Sequence, residues 1–274
     1  MRKINLGLSL AHLITWLLLL VVISPVLIVV LGAFFNASFL GVASEEWAGH
    51  QSSSILNHGW FMYVFHLYGN TMRFSLLLAV LSVVICVAVS VPGAYVLVHA
   101  RFRGIRVLEE VTLLPLSIPG IAMSIGLIEA YIMVRGSWWL ILCGHLLYTV
   151  PLMVRVLTNS LRSFDFTKLQ LTGQSLGAGW WHRFLFIIVP NLRHSIVVGS
   201  LLVFAVSWGE FNVSYLLNTP LHQTYPAALY ATYTANSFPV SSAATTIFLG
   251  VILPFLLALQ WLGGDEFNRV EQSA

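Results

Sequence analysis

The chain has few charged residues. Lys, Arg, Asp and Glu together make up 8% of its 274 residues, and hydrophobic residues make up 58%. Because soluble domains carry about 25% charged residues, this composition excludes an ordinary soluble domain. Six apolar runs, each near the roughly 20 residues that a bilayer span needs, cover residues 13–35, 74–98, 111–128, 138–154, 196–218 and 243–264. The sequence therefore predicts an all-α membrane protein with six transmembrane helices.

Cysteine and lysine are also scarce, and their placement excludes two kinds of site. The two cysteines, Cys86 and Cys143, lie in separate apolar runs, whereas a metal site needs more ligands at closer spacing. Both are interpreted as buried small apolar residues. Neither of the two lysines, Lys3 and Lys168, follows a glycine, so the Gly-Lys-Ser/Thr of an ATP-binding P-loop is absent. We therefore predict no catalytic residue, metal site or cofactor on this chain, and nothing indicates a nucleic-acid partner.

The few basic residues are distributed unevenly between the two sides of the predicted spans. Eleven of the thirteen Lys and Arg residues precede the first run, lie between the second and third or the fourth and fifth, or follow the sixth. Basic residues accumulate on the cytoplasmic side of membrane proteins. The pattern predicts that both termini are cytoplasmic. It also predicts two sizeable external loops, at residues 36–68 and 221–242, the second with Pro220, Pro226 and Pro239 as helix breakers.

The largest internal loop, residues 159–194, contains a polar segment punctuated by glycine. We expect a short helix from Asp165 to Ser175, a turn at Gly177 and Gly179, and a second amphipathic segment from Trp180. Glycine suits such a turn because it tolerates positive φ. A short helix lying along the membrane surface can seat in a groove of another protein. The alternative is an amphipathic helix that only touches lipid head groups.

Polar residues inside the apolar runs identify a candidate solute pathway. Glu210 follows a long charge-free stretch and lies close in sequence to Ser207 and Asn212. A carboxylate within a membrane is costly, so it usually faces a cavity or a partner. The alternatives are an ion pair with an Arg on another helix and a position near the external interface. His145 is interpreted as an interhelical hydrogen-bonding residue rather than a proton relay.

The 171–190 segment carries a known spacing of residues. Permease subunits of binding-protein-dependent ABC importers share a loop that reads EAA, three residues, G, nine residues, I, any residue, LP. Gly177 takes the glycine position, and Ile187, Val189 and Pro190 follow at the family's spacing. Leu171, Thr172 and Gly173 stand where the family has its EAA triplet, so the acidic residue is missing. The chain thus resembles the type I ABC importer permeases.

Three further stretches carry the same resemblance. Asn70-Thr71, PLSIPGIAMSIGL at residues 115–127 and SWGEFNVSYLL at residues 207–217 are similar to permeases of the polyamine, iron(III) and phosphonate branch. Within the second stretch, Pro115 to Gly120 are expected to open the third span locally, because proline breaks the helical hydrogen-bond pattern. The resemblance implies a single transmembrane domain over residues 1–274, with its first helix at about 13–35 and its core at about 70–264. The solute it implies is a polyamine, a phosphonate or iron(III).

The resemblance also implies partners and a place in the membrane. Two ATP-binding subunits, which would bind ATP and Mg²⁺, would dock on the loop through residues Leu171, Thr172, Gly173, Gly177, Ile187 and Pro190. A second permease, either a copy or a different chain, would complete the pathway, and a solute-binding protein would deliver the solute. The expected location is the bacterial inner membrane, with lipid around the helices. The alternative function is an ion-coupled secondary transporter, for which Glu210 would be the coupling carboxylate.

Overall fold

The computed structural model describes residues 6–34, 59–100, 104–163, 166–235 and 238–273. Within these ranges the chain is helical apart from short connections and one isolated β-bridge between Thr219 and His222. The α-helices are α1 Leu6–Phe34, α2 Gly59–His99, α3 Ile105–Leu113, α4 Gly120–Ala130, α5 Trp138–Ser163, α6 Phe166–Ser175, α7 Trp180–Arg183, α8 Val189–Asn191, α9 Arg193–Trp208, α10 Asn212–Leu217, α11 Tyr225–Ala235 and α12 Phe238–Ser273. The 3₁₀ turns are Leu114–Ser117 and Ile132–Val134, and a π-helical turn covers Phe184–Ile188. The all-α prediction is confirmed.

Several helices in the described part of the chain are long and apolar enough to cross a membrane. Four do so as continuous helices, at His12–Phe34, Gly59–His99, Trp138–Ser163 and Phe238–Leu262. Two further candidates are bent pairs: Ile105–Ser117 with Gly120–Ala130, at 104°, and Trp180–Asn191 with Arg193–Trp208, at 68°. The described residues therefore contain four helices that could span a membrane, or up to six if each bent pair crosses once, a range that includes the predicted six.

The third and fifth apolar runs are both interrupted, although the fifth was predicted as one span. In the third, Ile118 is extended with φ −91° and ψ 127°, because Pro119 disfavours the α conformation of the residue before it. This 118–119 break confirms the expected local opening. In the fifth, α9 ends at Trp208, and residues 209–211 separate it from α10. This 209–211 break contains Gly209 and Glu210, which are poor residues for the middle of a membrane helix.

Both predicted external loops contain helix, which corrects the sequence interpretation. Residues 59–68 already belong to α2, and the rest of the first loop lies outside the described residues. The second loop contains α11 and the beginning of α12. Pro226 and Pro239, predicted to break helices, are each the second residue of a helix. Proline is well tolerated there because its missing N–H has no partner in the first turn.

The described residues form two compact units. One contains α1, the first turns of α2, and the parts of α11 and α12 from residue 229 to residue 250. Within it, the Phe238 ring lies against Gly32, and the Ser241 hydroxyl donates to the carbonyl of Thr232 at 3.2 Å. The small Gly32 permits this close approach, as small residues commonly do between membrane helices.

The second unit contains the rest of α2, helices α3 to α10, and the later part of α12. Here α5 packs along α9, and α10 packs against α4 and α5. Two glycines permit these contacts, since a Cβ on Gly144 would collide with Val213 and one on Gly199 with Met153. Cys86 is buried as predicted, whereas Cys143 is exposed, so that interpretation was wrong. The neighbouring residues Leu142 and Gly144 face the packed sides of α5. Cys143 points in another direction, because successive residues of a helix face different directions.

Candidate functional site

The three residues proposed for the solute pathway line one cavity in the second unit. Its volume is about 210 Å³. Its lining residues are Leu116, Gly120, His145, Tyr148, Thr149, Leu152, Val206, Ser207, Glu210 and Asn212. The structure therefore brings Ser207, Glu210 and Asn212 together, with helices α4, α5, α9 and α10 supplying the walls.

Glu210 lies in the 209–211 break and faces the start of α10. Its carboxylate accepts a hydrogen bond from the backbone N–H of Val213, at 2.8 Å. A helix N-terminus has unpaired N–H groups and a partial positive charge, so a carboxylate is stabilised there. In the described part of the chain the one ion pair joins Arg162 to Glu109 at 2.7 Å. Among the described residues Glu210 therefore has no Arg partner, and the alternative of an ion pair is wrong for this part of the chain.

The 118–119 break meets the same cavity from the other side. The Tyr148 hydroxyl, on α5, donates to the carbonyl of Ile118 at 2.8 Å. This bond satisfies a backbone acceptor that the interrupted helix leaves without an intrahelical partner. The first residue of α4, Gly120, lies so close to Asn212 that a Cβ there would come within 2.7 Å of the Asn212 Cβ. The first residues of α4 and α10 therefore pack together at the cavity wall.

His145 makes the interhelical hydrogen bonds that the sequence predicted. Its side chain is 2% exposed. Nδ1 lies 2.7 Å from the hydroxyl of Ser207, and Nε2 lies 2.9 Å from the hydroxyl of Ser214. The Ser207 hydroxyl donates in turn to that of Ser82 on α2, at 3.2 Å. Sequence reasoning missed Ser82 and Ser214, because a small hydroxyl in an apolar run has no pattern that identifies its partner.

The second candidate feature is the stretch from α6 to α8, which we call the 166–191 segment. Gly177 adopts a φ of +79°. The N–H of Ala178 donates to the carbonyl of Gly173, and that of Gly177 to the carbonyl of Gln174, each at 3.0 Å. This pair of bonds is the Schellman arrangement, which ends a helix at a left-handed glycine. Gly179 has a φ of −62°, so the expectation of positive φ is confirmed for Gly177 alone. Asp165, expected to begin the helix, lies outside the described residues.

The two halves of the sequence motif contact each other in this segment. A Cβ on Gly173 would lie 2.9 Å from the Ile187 side chain and 3.4 Å from that of Arg183. Glycine at this position of the triplet therefore lets α6 pack closely on the π-helical turn. Of the other predicted docking residues, Leu171, Thr172, Gly177 and Pro190 are exposed. Leu176, which the sequence reasoning did not select, is 82% exposed at the end of α6.

The segment is fixed to the last turns of α2. The side-chain amide nitrogen of Gln170 lies 2.9 Å from Nε2 of His99, and the Tyr95 hydroxyl donates to the Gln170 amide oxygen at 3.4 Å. Arg183 donates to the backbone carbonyl of Gln170 at 3.3 Å. The Tyr95 ring also lies 5.5 Å from that of Phe184. Sequence reasoning missed these contacts. The available signal for them was the aromatic pair Tyr95 and His99, one helical turn apart at the end of an apolar run.

Curated relatives of the chain are permease proteins. No protein-family model matches it. The spermidine/putrescine transport system permease protein PotC of Escherichia coli K12 is 23% identical over 244 residues, covering 88% of this chain and 89% of that protein. The molybdenum transport system permease protein ModB of the same organism is 29% identical over 215 residues, covering 71% and 93%. PhnV of Salmonella choleraesuis, a permease assigned to 2-aminoethylphosphonate transport, is 23% identical, covering 80% and 86%.

Solved structures of ABC transporters share the fold. A bacterial ABC transporter that imports the acidic polysaccharide alginate contains a chain that matches with a TM-score of 0.72 at 15% identity, covering 95% of this chain and 97% of that one. The methionine transporter MetNI matches with a TM-score of 0.60 at 11% identity, covering 76% and 97%. The curated relatives are permease proteins of transport systems. The resemblance read from the sequence is therefore confirmed: the chain is a multi-pass membrane protein homologous to the ABC importer permeases, with relatives in the polyamine and phosphonate branch.

Proposed function

We propose that this chain is the membrane-spanning permease subunit of an ATP-driven importer, in which it forms half of the solute pathway. The observation that carries the proposal is the 166–191 segment, in which an exposed helix ends at Gly177 and is fixed to α2 through Gln170. A short exposed helix of this kind can seat in a groove on another protein. The relatives are permeases of import systems, which supports this assignment.

The docking surface is proposed to consist of the exposed residues Leu171, Thr172, Leu176, Gly177 and Pro190. Of the other two docking residues predicted from the sequence, Gly173 is buried and Ile187 is half-buried, and their contact holds α6 on the π-helical turn beneath that surface. Because the chain lacks the Gly-Lys-Ser/Thr of a P-loop, ATP and Mg²⁺ bind a partner ATPase. Two such subunits serve one transporter. A second permease, either a copy of this chain or a different one, completes the pathway, and a solute-binding protein delivers the solute on the opposite side.

The orientation follows from the basic residues. Eleven of thirteen lie on the side of the membrane that carries residues 159–194, and such residues accumulate in the cytoplasm. Both termini and the 166–191 segment are then cytoplasmic, and the membrane is the bacterial inner membrane. An ATPase subunit in the cytoplasm can reach the segment only in this orientation.

The solute pathway is proposed to pass the cavity that Ser207, Glu210 and Asn212 line. A carboxylate has about four lone-pair sites, so the hydrogen bond from the Val213 N–H leaves space for further donors. An ammonium group can supply that donor and a compensating charge. The carboxylate thus favours a solute with an amine, such as a polyamine or an aminophosphonate, over an anion such as molybdate. Iron(III) remains a further candidate from the sequence resemblance.

Uptake into membrane vesicles that contain the complete transporter tests the proposal. We expect labelled spermidine or 2-aminoethylphosphonate to accumulate when ATP is supplied on the cytoplasmic side, with molybdate as the anionic comparison. Purification from the same membranes should yield an ATPase subunit that carries a P-loop. Uptake that follows an imposed proton or sodium gradient and does not depend on ATP would support the secondary transporter instead.

A further inference from the structure

The His145 ring joins both sides of the 209–211 break. Ser207, 2.7 Å from Nδ1, lies at the end of α9, and Ser214, 2.9 Å from Nε2, lies in the first turn of α10. Glu210 lies between these serines in the sequence. The helix that would normally connect them is interrupted, so the backbone hydrogen bonds that would fix one half against the other are missing. A side chain on α5 holds the two halves instead.

The neighbouring hydrogen bonds define the direction of the bridge. Since the Ser207 hydroxyl donates to Ser82, its oxygen accepts the proton of Nδ1. A neutral imidazole then has Nε2 as an acceptor, which the Ser214 hydroxyl satisfies. The chain of donors runs from Ser214 through His145 and Ser207 to Ser82, and it connects α10, α5, α9 and α2. Because each of these groups is buried and has a partner, removing one leaves another unsatisfied.

A second contact supports the ring from its own helix. The Thr149 hydroxyl donates to the backbone carbonyl of His145 at 2.8 Å and accepts from the thiol of Cys86 on α2 at 3.3 Å. The turn of α5 that carries the imidazole is therefore also connected to α2. Such a network has few alternative arrangements, because each change would leave a buried polar group without a partner.

We infer that His145 is a positioning residue, which holds α9 and α10 at the 209–211 break and so fixes Glu210 and Asn212 on the cavity wall. The importance of this role for transport rests on the proposed function. The hydrogen bonds that form the bridge do not depend on that proposal. Loss of the bridge lets α10 move relative to α9, which changes the access of water to the cavity wall. The role needs no proton transfer by His145, and it differs from direct contact with solute.

Thiol labelling of the complete transporter in membrane vesicles tests the inference. Asn212→Cys is placed in a background with Cys86→Ser and Cys143→Ala, and its labelling by a charged, water-soluble methanethiosulfonate is timed. Ser214→Ala removes one end of the bridge, and His145→Leu removes both. His145→Gln supplies both a donor and an acceptor, so it is the conservative variant. Ser200→Ala is the matched control, because the Ser200 hydroxyl donates within its own helix, to the backbone carbonyl of Ile196 at 2.7 Å.

We expect labelling of residue 212 to become about tenfold faster in Ser214→Ala and in His145→Leu, as befits the loss of a buried hydrogen bond. His145→Gln and Ser200→Ala should stay within about twofold of the parent. Unchanged labelling in Ser214→Ala overturns the inference, and this variant is mild enough to test it if His145→Leu fails to assemble. Spermidine uptake is measured in parallel. If labelling becomes faster while uptake stays unchanged, the faster labelling confirms the positioning role. The unchanged uptake then contradicts the proposed solute pathway.

Discussion

The side-chain amide of Gln170 on α6 lies 2.9 Å from Nε2 of His99, the last residue of α2. The two residues are 71 positions apart in the sequence. The Tyr95 hydroxyl and the Arg183 guanidinium bond to the same glutamine. A displacement of α6 by a docked ATPase would therefore act directly on α2, the helix that also carries Ser82 beside the cavity.

Replacement of Gln170 should weaken the connection between ATP hydrolysis and transport. Gln170→Leu keeps a similar size but removes the bonds to His99 and Tyr95. We expect the number of ATP molecules hydrolysed per solute imported to rise about fivefold, since a lost hydrogen bond of about 1 kcal/mol has that effect on an equilibrium. The ratio is measured in vesicles that contain the complete transporter.

Gln174→Leu is the matched control for this prediction. Gln174 lies one turn further along α6 and is exposed, and among the described residues its side chain accepts from Arg183 alone, at 3.3 Å. The control should change the ratio by less than about twofold, because an exposed hydrogen bond contributes little. Equal ratios for Gln170→Leu and the parent, with normal assembly, would show that the His99 contact does not transmit movement.

Gly177 should be sensitive to side-chain branching, and Gly179 should not. At the +79° φ of Gly177, a β-branched residue costs about 1–2 kcal/mol, although no neighbouring atom obstructs a Cβ. Gly177→Val should therefore loosen the end of α6 and reduce co-purification of the ATPase several-fold. Gly179→Val, at a φ of −62° and also with open space, should leave it unchanged. Gly177→Asn should retain most binding, because asparagine tolerates this conformation.

The sequence predicted those features of the fold that depend on local chemistry. Apolar runs located the long helices, and the turn at Gly177 followed from the freedom of glycine at positive φ. The 118–119 break followed from proline, which disfavours helix at the residue before it. Pro226 misled the prediction, because the same residue either breaks a helix or begins one, and the sequence near it fits both.

The contacts that make the candidate site could not be read in the same way. The hydroxyl partners of His145 and the Gln170–His99 pair depend on the packing of helices that are far apart in the chain. A serine in an apolar run looks the same whether it bonds within its own helix, as Ser200 does, or across to another, as Ser207 does. Glu210 was identified because a carboxylate in a membrane segment is costly, but its bond to the Val213 N–H depends on the 209–211 break, which the sequence did not show.

The orientation of the chain gives a prediction that does not depend on the transported solute. A reporter that is active only in the cytoplasm should give signal when fused after residue 274 and none when fused after residue 58. A periplasmic reporter at the same positions should give the reverse. Eleven basic residues on one side are the physical reason. Equal signals at the two positions would mean that the number of spans between them is even, so that one of the apolar runs has been misjudged.

Glu210 should affect solute affinity through its charge and local structure through its hydrogen bonds. Glu210→Gln keeps an oxygen that can accept from the Val213 N–H, 2.8 Å away, but removes the charge. We expect the KM for spermidine uptake to rise about 10- to 100-fold, the range for a lost hydrogen bond between charged groups. Assembly with the ATPase should persist, because α10 is still capped.

Glu210→Ala separates the two roles of this carboxylate. It removes the cap as well as the charge, and loss of a helix cap costs about 1 kcal/mol. We therefore expect a lower yield of assembled transporter in addition to the raised KM. Glu129→Gln, at an exposed carboxylate near the end of α4, is the control and should leave both unchanged. If Glu210→Gln transports spermidine with the parental KM, the residue caps α10 and does not contact the solute. An ammonium group that approached the remaining lone pairs of the carboxylate would have to lose affinity in that variant.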